Sequence, residues 1–231
     1  MRRGNARAVW LGMAAAALVG VASPVGAFAQ ARRSTRDTWQ RVEDVVSALQ
    51  VEPGDRIADV GAGSGYFTFH LSPRVGPGGR VIAEDIDSSA LGRLRATARR
   101  RGLRNIETVL GETDDPKLAE QSLDGVLIVN AYHEMTEYQA MLAAVRRALR
   151  PGARLVILDM PRDSTLSRSR QMDQHGLAIG IALRDLAAAG FRVIAQDPDF
   201  VRSGRYRQWM VVAEVAGPER ERSPAAAGRL R

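Results

Sequence analysis

Cysteine is absent from the 231 residues, which removes disulfide frameworks, thiolate zinc sites and cysteine nucleophiles at once. Lysine is nearly absent as well: Lys117 is the only one, so positive charge is carried by arginine, a compositional bias rather than a dedicated binding face. Only three histidines are present, His70, His133 and His175, which leaves few imidazoles for acid–base work. Long apolar runs are missing apart from Ala8 to Val21, which is too short to span a bilayer comfortably as a permanent helix. No internal repeat occurs.

What is present begins with that short run. Arg2, Arg3 and Arg7 precede it, and Pro24 and the small-residue stretch "GAFAQA" follow it, with an A-x-A site ending at Ala29. This is the layout of a secretory signal peptide over residues 1–29, so an exported, periplasmic protein is expected. Uncleaved, the same segment would be a membrane anchor and the chain's sole membrane contact; a misassigned start codon would make the protein cytoplasmic. The net charge of +7 divides as +4 over residues 1–50, −1 over 51–160 and +4 over 161–231, so the middle of the chain is close to neutral. Nucleic acid is therefore not expected as a partner, although Arg99, Arg100, Arg101 and Arg104 form one basic cluster. That cluster falls where a helix should end, at the favourable pole of its dipole.

From residue 36 onward, strand-like and helix-like patterns alternate, which predicts an α/β fold with helices on both faces of a mostly parallel sheet. Strands are expected at "RIADV" (56–60), "RVIAED" (80–85), "NIETVL" (105–110), "DGVLIVN" (124–130) and "ARLVILDM" (153–160). Their nearly continuous Val/Ile/Leu character fits strands buried on both faces. An amphipathic lead-in helix is expected over 38–49, a second over the Ala90–Ala98 stripe with Ser88 or Ser89 as its cap, and a third over Tyr138–Leu149. A late helix is expected over 171–189, then "FRVIAQD" and "RQWMVVAEV" as an antiparallel pair joined by the connection "PDFVRSGRY". Residues 216–231 read as a disordered tail after a domain spanning 36–215.

The stretch "DVGAGSGYF" (59–67) carries the chemistry. Gly61, Gly63 and Gly65 lie between a strand and a helix, where missing Cβ atoms let backbone N–H groups approach a nucleotide-like ligand. A P-loop is excluded because no Gly-Lys-Ser/Thr follows, and the dinucleotide fingerprint fails at Tyr66, where glycine is required. Twenty residues past Gly65, Asp85 ends the second strand, where its carboxylate can accept from both hydroxyls of a ribose. The ligand thus has a ribose and lacks a pyrophosphate.

At these positions the sequence resembles the class I S-adenosylmethionine-dependent methyltransferases, over residues 37–215. "VEPGDRIADVGAGSGYFTFHL" is similar to the family's first motif, "GGRVIAEDID" to its second-strand acidic motif, and "GETDDPKL" to the segment after its third strand. "LDGVLIVNAYHEM" and "LRPGARLVILD" resemble its fourth strand with the following loop and the passage into its fifth. The resemblance implies a three-layer α/β/α sandwich on a seven-stranded twisted sheet of order 3-2-1-4-5-7-6 with the last strand antiparallel. It also implies S-adenosyl-L-methionine as cofactor and no metal. Asp59 would orient the methionine end, Gly61, Ala62 and Gly63 would line it with backbone, and Gly65 would complete the loop. Asp85 would hold the ribose and Ile86 would pack on the adenine. Glu112 and Thr113, with Asp114 as competitor, would contact the adenine edge, and Asn130 would begin the loop beside the sulfonium.

For the methyl acceptor the candidates lie in "NAYHEM". His133 is the preferred base, because imidazole titrates near neutrality, with Tyr132 beside it. The Asn/Asp-Pro-Pro-Tyr motif of nucleobase and glutamine amine methylases is replaced by "NAYH", and without cysteine the thiol sites of arsenic methylases are missing. A small-molecule O- or C-methyl acceptor is the expected partner. Two other readings stay open: an exported cofactor-binding protein without turnover, and an RNA methyltransferase that uses Arg99 to Arg104 as a phosphate track.

Overall fold

The computed structural model describes residues 35–215; the expected signal peptide over 1–29 and the expected tail over 216–231 lie outside the described residues. Five parallel strands form the body of the sheet: β1 (Arg56–Val60), β2 (Arg80–Asp85), β3 (Ile106–Leu110), β4 (Leu123–Val129) and β5 (Leu149–Asp159). Two more, β6 (Phe191–Ser203) and β7 (Tyr206–Val215), complete the order β3-β2-β1-β4-β5-β7-β6. β7 runs antiparallel to both β5 and β6, so the sheet has the order and polarity that the resemblance implies.

Side-chain alternation distributes the strands' apolar residues between two cores. Ile57, Val81, Leu127, Val156 and Leu158 pack with α1 (Val42–Leu49) and α2 (Tyr66–Val75), while Ala58, Ile82, Val126, Ile128 and Ile157 face the other way. That second core is closed by α4 (Tyr138–Ala148) and α6 (Ile179–Ala188). α3 (Ser88–Arg100) packs beside β2 and β3, and the short α5 (Arg168–Asp173) follows β5. No helix among the described residues is long and apolar enough to cross a membrane.

Four local expectations are corrected. The lead-in helix starts at Val42, not residue 38, because Gln40 turns inward and Arg41 adopts a left-handed conformation (φ 52°) to let it. Gln40 is fully buried, and its amide donates to Gln208 at 2.7 Å. The cap of α3 is Asp87, which accepts from the Ser89 amide at 2.8 Å, rather than Ser88 or Ser89. "PDFVRS" belongs to β6 rather than to a connection. A bulge between Asp197 and Val201 absorbs Pro198, which has no N–H to give the ladder, and Phe200 and Val201 are buried against the α1 side.

The fourth correction matters most for the site, since the late helix is broken in two. Gln171 is fully buried; its carbonyl accepts from Ala178 N–H at 2.6 Å and its amide donates to Leu166 O at 2.8 Å. Leu177 N–H donates to Met160 O at 2.8 Å, and Trp209 Nε1 donates to Leu177 O at 2.7 Å. These long-range partners hold residues 174–178 out of helix and fix the turn that carries His175 against the end of β5.

Candidate active site

The carboxyl ends of β1, β2 and β4 open onto a cleft, the place where open α/β sheets bind ligands. The glycine loop supplies one wall. Gly61 (φ +70°) passes so close to Ala131 that a Cβ would overlap the alanine's own, whereas Gly63 (φ +53°) faces open space. The first glycine is required by packing, and the second leaves room for a ligand. Gly63 N–H donates to Asp85 Oδ2 at 2.7 Å and Asp87 N–H donates to Asp85 Oδ1 at 2.8 Å, so the carboxylate is aimed before any ligand arrives. Each oxygen keeps lone-pair capacity for a further donor.

Among the expected residues, Gly61, Gly63, Asp85, Ile86, Glu112, Thr113 and Asn130 line this cleft together. Ile86, a large apolar side chain, is 59% exposed and offers a platform for a flat apolar face. Ala62 and Gly65 shape the loop from behind: Ala62 N–H donates to Glu84 O and Gly65 N–H to Ala62 O, both at 2.9 Å. Asp59 is buried under the loop and accepts from the Thr68 hydroxyl at 2.6 Å; burial raises its pKa to about 6. Asp114 does not line the cleft.

Tyr132 is a correction in placement. It is fully buried, its hydroxyl donates to Asp185 Oδ2 at 2.8 Å, and Arg168 bonds that same oxygen at 2.6 Å. Burial and the Asp185 charge push its pKa above the ordinary phenol value, so it locks α6 to the sheet rather than facing the cleft. His133 is also buried. Its backbone N–H donates to Asp159 Oδ2 at 2.9 Å, and its Nδ1 lies 2.8 Å from Asp159 Oδ1. Since a carboxylate only accepts, Nδ1 carries a proton, and Nε2 lies 3.6 Å from Glu134 Oε1. Glu134, not His133, reaches the cleft wall.

Several residues of this region escaped the sequence reading. Glu84 lines the cleft with one carboxyl oxygen buried and unpartnered beneath Gly111, where any Cβ would overlap it. Its only visible sequence signal is an acid directly before Asp85. Desolvation first, then the charges of Asp85, Asp59 and Asp115, raise its pKa to about 8, against a hydrogen bond from Gly61 N–H that lowers it. A raised folded pKa means the native state holds a proton that the unfolded chain has released. Stability therefore falls as pH rises from the ordinary 4.5 to about 8, on the order of 1.4 kcal/mol per unit across the window. Urea denaturation at several pH values should show this slope in the native protein and a flatter one in Glu84→Gln, with the variant the more stable at alkaline pH. Equal slopes would refute the assignment.

A chain of amides also joins the amino-terminal turn to the cleft. Arg36 Nε donates to Gln40 Oε1 at 2.8 Å, Gln40 to Gln208, and Gln208 Nε2 to Asn130 Oδ1 at 2.7 Å. Arg36 lies 4.1 Å over the Tyr66 ring, whose hydroxyl donates to Asp37 at 2.7 Å, so the 3₁₀ turn Thr35–Thr38 is tied to the start of α2 beside the glycine loop.

Among the described residues the cleft lining has four acidic side chains, Glu84, Asp85, Glu112 and Glu134, of which Glu84 holds its proton at neutral pH, and no arginine or lysine; Lys117 Nζ stands behind Glu112, 3.2 Å from its Oε1. The cleft suits a ligand rich in hydrogen-bond donors and poor in negative charge. Together with the strand order, the cleft has the architecture of the Rossmann-like methyltransferase fold. Residues 57–152 match the methyltransferase domain family. Among curated proteins the chain is similar to an arsenite methyltransferase of Halobacterium salinarum, 29% identical over 154 residues that cover 63% of this chain and 39% of that protein. It is also similar to the ubiquinone/menaquinone biosynthesis C-methyltransferase UbiE of Pseudomonas putida, 30% identical over 141 residues, 61% of this chain and 54% of that protein. The matches thus span about half or less of these relatives' length. A solved SAM-dependent methyltransferase from Aquifex aeolicus shares the fold, with a TM-score of 0.68 and 24% identity over 80% of this chain and 94% of that one.

Proposed function

We propose that the protein is an S-adenosylmethionine-dependent methyltransferase acting on a small organic acceptor. The observation that carries this reading is a cleft whose ionisable lining residues are all acidic, built around a pre-aimed Asp85. A diol, an exocyclic amine and a sulfonium each want oxygen acceptors, and a phosphate would meet the carboxylates of Asp85, Glu112 and Glu134 with no lining arginine or lysine to offset them. The bound cofactor supplies an electrophilic methyl group. Transfer would be an in-line displacement, in which the acceptor's electron pair forms the new bond to the methyl carbon and the pair of the carbon–sulfur bond is left on the neutral thioether. Asp85, Ile86, Glu112 and Thr113 hold the nucleoside, the glycine loop over Asp59 holds the amino-acid end, and Asn130 and Glu134 stand on the side where an acceptor would enter.

The acceptor is carbon- or oxygen-centred. One relative is named for arsenite, but a thiophilic arsenic(III) centre would need thiolates that a cysteine-free chain does not have. Calorimetric titration with S-adenosylmethionine should give one site per chain; absence of binding would remove this reading and that of a turnover-deficient cofactor-binding protein alike. Binding without methyl transfer across a metabolite panel would favour the latter. We further propose that residues 1–29 direct export to the periplasm, on the basis of their charged, apolar and small-residue succession. Sequencing the amino terminus of the mature protein tests this: a chain beginning at Gln30 supports it, and one that retains residues 1–29 opposes it.

A further inference from the structure

We propose that His133, Glu134 and His175 form a binding site for a divalent transition ion of the zinc class, at the acceptor side of the cleft. One ligand atom from each of the three lies within 4.8 Å of the others. His133 Nε2 and Glu134 Oε1 are 3.6 Å apart, close to the separation of about 3.4 Å that two ligands take around a tetrahedral ion with bonds of about 2.1 Å. Two imidazoles and a carboxylate are the donor set such an ion prefers, and three protein ligands leave a coordination position open.

The surroundings are built for it. His133 is 2% exposed, and the fully buried Asp159 holds its Nδ1–H, so the ring is fixed with Nε2 aimed in one direction. A metal-bound histidine takes this arrangement, with a carboxylate behind it setting the tautomer and raising basicity. His175 comes from the turn that breaks the expected late helix, and it sits in a left-handed conformation (φ 56°), which a non-glycine residue adopts at a cost. The turn is clamped: Arg162 Nη2 donates to His175 O at 3.0 Å, and His175 N–H donates to Met172 O at 2.8 Å. At Gly176 any Cβ would press on Met160 O, 2.5 Å away, so the chain approaches β5 as closely as it can. The imidazoles of His133 and His175 meet edge to face, with centroids 6.2 Å apart.

The ion's role rests on the methyltransferase reading, though its binding does not. Glu134 lies on the cleft wall, so an ion held by it would stand beside the space where an acceptor would sit. There it would hold an acceptor through a hydroxyl or enol oxygen, whose proton passes to water on coordination, which leaves the oxyanion ready for transfer without a separate base. The sequence-based expectation of no metal arose because the ligands come from two distant segments, with no ligand spacing to read.

The test is calorimetric titration of the chelator-stripped full chain with zinc chloride in the absence of S-adenosylmethionine. One equivalent should bind, and His175→Ala and Glu134→Gln, both at exposed positions, should each weaken it at least about tenfold. S-adenosylmethionine affinity should be unchanged in His175→Ala, which reports that the fold is intact. A native protein that binds no zinc, or a His175→Ala chain that binds it as well as native, overturns the site. Zinc binding by a protein that binds no S-adenosylmethionine leaves the site standing and removes only its assigned role.

Discussion

Replacing Asp85 by alanine should raise the dissociation constant for S-adenosylmethionine by ~100-fold or more, because hydrogen bonds to a charged acceptor are worth about 1.5–3 kcal/mol each and two ribose hydroxyls lose theirs. A second effect compounds the first. Asp85 also accepts from Gly63 N–H, so its removal frees the glycine loop, to which we assign the other end of the ligand. Asp85→Asn keeps one acceptor oxygen and should fall between, near tenfold. The side chain sits at the open end of β2 and is only partly buried, so stability should change far less than affinity. Calorimetry with parallel urea denaturation separates the two, and an alanine variant whose affinity stays within about threefold of native would refute the assignment of the ribose to this carboxylate.

Asp85 and the glycine loop were legible in the sequence because their signals are local: a strand followed by glycines that need positive φ, and an acid at the next strand's end. The strand order was legible only through resemblance, since alternation predicts a parallel sheet but not which strands are neighbours. What escaped depends on tertiary partners. Apolar periodicity runs on through Gln171 to Ala189, and only the buried Gln171 amide and the Trp209 indole, reaching from elsewhere, break the helix. Likewise "PDFVRS" reads as turn chemistry until Phe200 and Val201 are seen to close the core over α1. Glu84 and Asp85 are adjacent acids, and pleating alone sends one under Gly111 and the other to the rim. The roles expected for Tyr132 and His133 came from their place after β4. One side chain went to Asp185 and the other to Asp159, partners on later elements of the chain.

Those later partners define the second large effect. Asp159 is fully buried at the end of β5 and accepts three hydrogen bonds: His133 N–H at 2.9 Å, His133 Nδ1–H at 2.8 Å and Met160 N–H at 2.7 Å. Asp159→Ala strands the two buried His133 donors and the partly buried Met160 N–H, so the loss should be about 3–5 kcal/mol of folding free energy, each unsatisfied buried donor costing about 1–3 kcal/mol. Asp159→Asn has the same shape but must turn an NH₂ toward a donor, so about 1–2 kcal/mol is expected, and the variant should remain folded. The asparagine variant is also the sharper probe of the site. With no anion behind it, His133 loses its fixed tautomer, and zinc affinity should drop by about 10–100-fold, the usual consequence of removing a carboxylate that orients a metal-bound histidine. Urea midpoints and zinc titration on the same preparations decide the matter. If Asp159→Ala is as stable as native to within about 0.5 kcal/mol, then Asp159 does not anchor the loop between β4 and α4, and the orientation assigned to His133 falls with it.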